Sequence, residues 1–228
     1  MIDNSSYRYE RKFIIKNLKV FDIEKSIKFH PAIFSEIFYK RRVNNIYLDT
    51  NGMENYQDNI NGHPKRLKIR IRWYNNTFGA IERPVLELKI KENHLGSKLS
   101  FPLISFVFDK NFSREFLEKE VFLKSKLPDW LIEKLKSYQP CILNSYLRKY
   151  FRSSDKKYRI TLDNELLFFK IAGSNNSFKD KREDKETVIM ELKYNRENDD
   201  WSSNITQHFP FNLTKSSKYI SGVDLLEY

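Results

Sequence analysis

The sequence contains few of the residues that build crosslinks, metal clusters or glycine-rich loops. Its 228 residues include one cysteine, four histidines and six glycines. A single cysteine cannot form a disulfide within the chain, which favours a reducing compartment. The histidines are scattered without the spacing of a structural zinc site. So few glycines exclude collagen-like and linker-type architectures.

Long apolar runs and glycine-rich phosphate-binding motifs are also missing. The best apolar candidate, residues 101–108, is far shorter than the roughly 20 residues that span a bilayer. The first residues include no apolar segment of a secretion signal. We therefore expect a cytoplasmic protein without a transmembrane segment. No P-loop, dinucleotide-binding or nucleophile-elbow motif occurs, so side chains must hold any bound phosphate.

The composition is that of a folded, basic chain. Hydrophobic residues make up 40% and aromatic residues 15%, which is enough to form a core. The excess of Lys and Arg over Asp and Glu, 41 against 30, gives a net charge of +11. This excess indicates a polyanionic partner: nucleic acid, anionic lipid or a phosphate-rich small molecule. We predict one domain over residues 1–228, with a mobile polar loop at about 173–187.

Alternating sequence patterns predict strands with one cationic and one apolar face. The plainest case is residues 66–73, where arginines and lysines alternate with large apolar residues. Other predicted strands are residues 7–15, 42–48, 84–91, 142–151, 158–163, 166–172 and 188–194. Helices are predicted at residues 20–29, 112–122 and 129–138. The fold class predicted by these elements is α+β.

The cationic faces favour a closed sheet. Alternate side chains on a strand lie about 6.6 Å apart, so Arg66, Lys68, Arg70 and Arg72 form a row of roughly 20 Å whose like charges repel. One such row is typical of a solvated sheet face. The same pattern on several strands instead favours a closed antiparallel β-barrel, a tunnel whose charged lumen holds water and anions. Helices would then pack on the apolar exterior.

Three predicted strands carry a glutamate two residues before a lysine: Glu10 before Lys12, Glu87 before Lys89, and Glu191 before Lys193. These glutamates could form ion pairs that contribute little stability. They could instead hold Mg²⁺ or Mn²⁺, which would bridge to phosphate oxygens. Guanidinium groups that can bind phosphate through bidentate hydrogen bonds are those of Arg70, Arg72, Arg148 and Arg159.

Eight segments in order resemble the VTC (vacuolar transporter chaperone) domain, the polyphosphate polymerase branch of the triphosphate tunnel metalloenzyme superfamily. The segments are YRYERKFII (7–15), VNNIYLDT (43–50), RLKIRIRWY (66–74), VLELKIK (85–91), SYLRKYF (145–151), YRITLDNEL (158–166), VIMELKY (188–194) and SKYISGV (217–223). Each segment alone is a weak match. Their shared order over nearly the whole chain makes the resemblance specific.

The resemblance implies a tunnel that binds triphosphate or polyphosphate together with Mn²⁺ or Mg²⁺. The catalytic residues that it implies are Lys12, Arg70, Arg72, Lys89, Arg148, Arg159 and Lys218. Further phosphate-binding residues would be Arg8, Lys68, Lys91, Lys193 and Lys215. The metal ligand of the family corresponds to Glu191, and Glu87 and Glu10 are further candidate ligands.

The first strand departs from the tunnel triphosphatases and related adenylyl cyclases. Those proteins carry an E-x-E-x-K signature, whereas this strand has Arg8 at the position of the first acid, followed by Glu10 and Lys12. The change favours the polymerase-like branch, which transfers the γ-phosphoryl group of ATP to a growing polyphosphate chain. Regulation and export of the product are then expected from other chains, such as a membrane-protein partner.

Two other functions stay open. The chain could be a metal-dependent triphosphatase, or a module that binds polyphosphate, triphosphate or nucleic acid without turnover. RNA-binding proteins typically expose aromatic rings for base stacking, whereas the aromatic residues here lie largely on the apolar faces of predicted strands. We therefore expect no nucleic-acid partner.

Overall fold

The computed structural model describes residues 8–92, 95–174 and 176–227. Its strands are β1 (Arg8–Ile15), β2 (Ser35–Asp49), β3 (Lys65–Tyr74), β4 (Gly79–Ile81), β5 (Val85–Glu92), β6 (Leu95–Pro102), β7 (Phe106–Phe108), β8 (Gln139–Arg152), β9 (Tyr158–Lys170), β10 (Lys181–Asp184) and β11 (Val188–Asn195). Its helices are α1 (Val20–Lys28), α2 (Glu54–Ile60), α3 (Arg114–Phe116), α4 (Asp129–Leu135), α5 (Ser202–Thr206) and α6 (Lys218–Leu225). A π-helix (Leu117–Phe122) continues α3, and a short 3₁₀ turn (Arg196–Asn198) follows β11. The α+β class is as predicted.

Nine strands form one antiparallel sheet in the order β1-β11-β9-β8-β2-β3-β5-β6, with β10 added beside β9. Strands β4 and β7 pair separately. The register brings the charged rows onto one face, because Lys12 lies opposite Glu191 and Arg70 lies opposite Glu87. The sheet curls so that β1 and β6 approach within 8 Å between Cα atoms. We call the charged inner side of this curl the concave face.

The predicted closed barrel is wrong. Strands β1 and β6 are the two ends of the sheet order, and no ladder of hydrogen bonds joins them within the described ranges. Alternation in a sequence fixes which side chains share a face. Closure depends on strand tilt and stagger around the whole sheet, which alternation does not encode. The charged rows therefore line a curled sheet with a seam between β1 and β6.

Helices cover the outer, apolar face, as expected. One core packs β3 and β5 against the π-helix and α4, with Ile71 and Leu131 fully buried. A second core packs β1, β9 and β11 against α1, with Phe13 and Ile23 fully buried. In the part of the chain that the structure describes, no helix has both the length and the apolar content needed to cross a bilayer.

Several predicted boundaries differ from the observed elements. The strands predicted at 158–163 and 166–172 are one strand, β9, which includes Glu165 at φ +51° and ends at Lys170, two residues before the predicted end. The helix predicted over 112–122 divides into α3 and the π-helix. The polar segment 173–187, predicted as a loop, contains the short strand β10.

Helix α6 packs against the concave face. Tyr219 stacks on Tyr47 with 4.9 Å between ring centroids and donates a hydrogen bond to the buried carboxylate of Asp49. Ser217 caps the helix by accepting a hydrogen bond from the backbone of Ile220. These contacts fix the first turn of α6 and therefore the position of Lys218, the first residue of the helix.

Gly222 permits the close packing of α6. A Cβ atom there would lie 2.6 Å from Cδ1 of Ile142 and 2.7 Å from Cδ1 of Phe168. The substitution Gly222→Ala should therefore destabilise the protein by about 1–2 kcal/mol, because overpacking outweighs the better helix propensity of alanine. Urea unfolding measures this change. Gly52→Ala, where a Cβ atom meets nothing within 4 Å, is the control. Equal stability of the two variants would contradict the packing of α6.

Candidate functional site

Asp163 organises the charged residues between β8, β9 and α6. Its fully buried carboxylate accepts two hydrogen bonds from Arg148, at 2.5 and 2.6 Å. Lys218 Nζ lies 2.6 Å from the same carboxylate. Burial alone would lower the pKa of Arg148, but the neighbouring Asp163 raises it well above its ordinary value. The sequence predicted both cations but not Asp163, although its alternation with Thr161 placed it on the same face.

Glu191 extends this cluster to β11 and β1. Four cations surround its carboxylate, with nitrogen–oxygen distances of 2.8 Å for Lys193, 3.4 Å for Arg148, 3.6 Å for Lys218 and 3.7 Å for Lys12. Burial raises the pKa of Glu191, but these cations outweigh burial and hold it well below its usual range. Glu191 is therefore ionised at neutral pH and is held in place from four directions.

Glu10 provides a second carboxylate next to the lysines that surround Glu191. It lies 3.5 Å from Lys12 and 3.3 Å from Lys193, and so shares both lysines with Glu191. Burial and the Glu191 carboxylate raise the pKa of Glu10, whereas nearby lysines, including Lys89, lower it to about 2. The adjacent strands β1 and β11 thus present two ionised carboxylates to the concave face.

Glu87 organises a separate group on β3, β5 and β6. Arg70 binds it through Nε at 2.7 Å and Nη2 at 2.6 Å. Lys98 Nζ lies 2.8 Å from the same carboxylate, and Arg72 Nη1 lies 3.7 Å from it. The pKa of Glu87 is lowered because Arg70 and Arg72 outweigh its burial. Glu87 therefore orients arginines and lies apart from the Glu10–Glu191 pair. Lys98, on an unpredicted strand, is a site residue that sequence analysis missed.

Four cations on β3 and β5 have no such acidic partner. We call them the acid-free row: Arg66, Lys68, Lys89 and Lys91. Among the described residues, no carboxylate lies within 4 Å of their charged nitrogens. Lys68 donates to Ser217 Oγ at 2.7 Å, and the buried Nε of Arg66 has no hydrogen-bond partner within the described ranges. Glu10 acts on Lys89 and Lys91 only from beyond 4 Å, so the positive charge of this part of the concave face is only partly compensated.

The pKa values of the acid-free row show the effect of this crowding. The Glu10 carboxylate raises the pKa of Lys89, but burial and the neighbouring Arg70 and Lys12 lower it to about 7. Burial and then Lys12 lower the pKa of Lys68 well below its ordinary value. A multivalent anion would relieve both penalties, since it would place negative charge in direct contact with the two lysines.

The other predicted phosphate-binding residues lie at the margins. Arg159 is exposed and lies opposite Lys193 in the β9–β11 register. Lys215 is exposed and close enough to Lys91 to lower the pKa of that lysine. Arg8 begins β1, but its side chain lies outside the described residues.

Of the three predicted metal ligands, Glu10 and Glu191 lie on adjacent strands and share two lysines, whereas Glu87 lies elsewhere. In the described part of the chain, no three His, Cys, Asp or Glu side chains are grouped as metal ligands. Magnesium sites on phosphate substrates commonly use one or two carboxylates, with phosphate oxygens and water completing the shell. The two carboxylates fit such an ion, provided that the phosphate supplies further ligands. Glu87, which is bound to Arg70 and Lys98, is not part of this pair.

The low pKa of Lys89 predicts how stability depends on pH. Its pKa is about 7 in the folded protein and about 10.5 in the unfolded chain, so the unfolded chain binds more protons between these values. The contribution of Lys89 to the free energy of unfolding therefore rises as pH increases above 7. Lys89→Met should unfold roughly 2–4 °C higher than the parent protein at pH 7. The difference should shrink at pH 9.

Thermal unfolding followed by circular dichroism checks this prediction. Lys126→Met, which removes an exposed lysine between the π-helix and α4, is the control and should unfold like the parent protein at both pH values. Parallel stability curves for the parent and Lys89→Met would show that Lys89 is not crowded by cations.

Three solved structures share this fold at 12% identity. A candidate adenylate cyclase from Vibrio parahaemolyticus has a TM-score of 0.51 and covers 95% of this chain and 98% of its own. A protein from Pyrococcus horikoshii OT3 has a TM-score of 0.52, with 97% and 100% covered. A candidate adenylyl cyclase from Hippeastrum, described as having a dominant triphosphatase activity, has a TM-score of 0.51, with 94% and 95% covered. At this identity the likeness shows the fold alone.

The family is shown by sequence. No curated protein matches the chain. Residues 7–227, however, match the family model described as the VTC domain, which covers nearly the whole sequence. The resemblance carried by the eight segments is therefore confirmed, and the chain belongs to the VTC domain family.

Proposed function

We propose that the concave face binds a polyphosphate chain and transfers the γ-phosphoryl group of ATP to its end, releasing ADP. The observation that carries this proposal is the acid-free row on β3 and β5, together with the lowered pKa of Lys89. A row of cations without acids in close contact, on a partly buried surface, is costly unless an anion binds there. A linear chain of phosphates has the shape and charge to follow that row.

The proposed chemistry needs little beyond cations in fixed positions. The acceptor is a terminal phosphate that is already ionised at neutral pH, so no general base is required. Catalysis then consists of aligning two mutually repelling anions and stabilising the charge that develops between them. Glu87 fixes the orientation of Arg70, and Asp163 fixes that of Arg148. Both arginines are thereby oriented before substrate arrives.

Glu10 and Glu191 are the residues that would hold Mg²⁺ or Mn²⁺ in this proposal. The ion would neutralise phosphate charge and act as a Lewis acid. Lys12 and Lys193, which lie between the two carboxylates, would contact the phosphates on either side. Because the donor is ATP, we place the domain in the cytoplasm, where another chain, such as a membrane protein, would receive the product.

Substitution of Arg70 tests the proposed transfer directly. Incubation of the parent protein with ATP, Mn²⁺ and a short polyphosphate should yield a ladder of longer chains on a gel. Arg70→Gln should lower kcat about 10²–10³-fold, by analogy with the loss of one preorganised donor to a developing anion. Arg114→Gln, which changes an exposed arginine on the outer helix α3, is the control.

The products separate this proposal from its alternatives. Free phosphate without a ladder would indicate a triphosphatase, in which water replaces the phosphate acceptor. Tight binding of tripolyphosphate with no release of ADP would indicate a binding module. Full activity of Arg70→Gln would exclude the concave face as the site of transfer.

Glu191→Gln tests the proposed metal ligand. The substitution removes one negative charge, while Asp163 continues to hold Arg148 and Lys218. The Mn²⁺ concentration that gives half-maximal activity should therefore rise, and the affinity for tripolyphosphate without metal should be retained or increased. Glu133→Gln on the exposed side of α4 is the control. Loss of tripolyphosphate binding together with activity would instead show that Glu191 only maintains the fold.

A further inference from the structure

A stack of planar side chains lies over the N-terminal half of β2 and the last residue of β3, whereas α6 packs against the C-terminal half of β2. The guanidinium of Arg41 lies 3.7 Å from the ring centroid of Tyr74 and 4.6 Å from that of Phe38. Phe38 stacks on Tyr39, with 4.2 Å between ring centroids. The contacts therefore run in sequence from Tyr39 through Phe38 and Arg41 to Tyr74. We call these four residues the aromatic platform.

The platform continues the charged rows of the concave face. In the β2–β8 register Arg41 lies opposite Arg148, and Phe38 lies opposite Tyr150. Arg41 Nε also donates a hydrogen bond to the hydroxyl of Tyr150 at 2.9 Å. On β3, Tyr74 stands two residues beyond Arg72 in the alternating pattern and so shares its face. The platform is thus the direct extension of the phosphate-binding rows that we propose.

Arg41 differs from the other arginines of this face. Arg70 and Arg148 are held by carboxylates, whereas within the described ranges no carboxylate lies within 4 Å of Arg41. Aromatic faces orient a guanidinium without cancelling its charge. Arg41 therefore remains available to an anion.

The rings of the platform are open to solvent. Phe38 is 40%, Tyr39 64% and Tyr74 37% exposed. The sequence had assigned the aromatic residues largely to the core, so these three are exceptions. Tyr74 lies four residues from Arg70, about 13 Å along an extended strand. An extended nucleoside triphosphate can span such a distance.

We propose that the aromatic platform stacks the nucleobase of the donor nucleotide, while its phosphates extend along the concave face towards Arg72 and Arg148. This inference rests on the proposed function, because it assigns the base of the donor to a place beside its phosphates. Stacking on rings is tolerant of base identity, since every base has a π face. Purine nucleotides other than ATP should therefore also bind.

Two substitutions test the platform against the phosphate site. Tyr74→Leu and Tyr39→Leu keep apolar volume but remove the rings at the two ends of the stack, whereas Phe38 lies between Tyr39 and Arg41. Isothermal titration calorimetry should show ATP binding weakened about tenfold, the scale of one stacked base. Tripolyphosphate, which has no base, should bind these variants as it binds the parent protein. Phe21→Leu, which changes an exposed ring on the outer helix α1, is the control and should alter neither affinity.

The outcomes distinguish this inference from the proposed function. If the parent protein binds neither ATP nor tripolyphosphate, the proposed function fails and the platform fails with it. If tripolyphosphate binds and both variants keep the parent affinity for ATP, only the platform is overturned. Tighter binding of a single-stranded oligonucleotide than of ATP, lost in Tyr74→Leu, would assign the platform to nucleic acid and also overturn the inference.

A measurement on the unsubstituted protein tests the aromatic platform without depending on whether the variants fold. Saturation-transfer NMR reports which protons of a bound ligand lie against the protein. Protons H2 and H8 of adenine should receive saturation when ATP binds, and this signal should disappear when excess ATP analogue occupies the site. Absence of transfer to H2 and H8, under conditions where ATP displaces tripolyphosphate, would show that the base stays in solvent and would overturn the platform.

Discussion

Repulsion among like charges on one curled sheet is the constraint on which the other features of this protein depend. Helices cover the apolar outer face of the sheet, so the charged residues that alternate with the apolar ones all lie on the concave face. The fold tolerates the repulsion where buried acids stand between the cations. Asp163, Glu191 and Glu87 are such acids. Gly222 permits the close packing of α6, which places Lys218 beside Asp163 and Glu191.

The cations of the concave face fall into two classes. Those beside buried acids, such as Arg148 and Arg70, have fixed positions and fully formed ion pairs. Those of the acid-free row have no acid within 4 Å among the described residues, and the lowered pKa of Lys68 reflects its burial beside other cations. A phosphate chain would provide the missing negative charge. The division therefore suggests that buried acids build the site and that the acid-free row contributes most of its affinity.

Local sequence patterns predicted which face of each strand is charged, but not which strands are neighbours in the sheet. The period of two in β3 placed Arg70 and Arg72 on the charged face, because alternation determines sidedness directly. The pairing of Arg148 with Asp163 depends on β8 and β9 being neighbours, which no local pattern encodes. Strand β6 was missed because Ser97 breaks its apolar face and because Gly96 and Pro102 are residues that strands disfavour. The barrel prediction failed for the same reason, since closure depends on the whole sheet.

The most direct test of the central claim is a crystal structure of the protein with tripolyphosphate and Mn²⁺. The account predicts continuous density for three phosphates along the concave face, in contact with the acid-free row and Arg70. It also predicts a metal peak between the phosphates and the Glu10–Glu191 pair. Phosphates found only on the outer surface, with the concave lysines still facing solvent, would contradict the account.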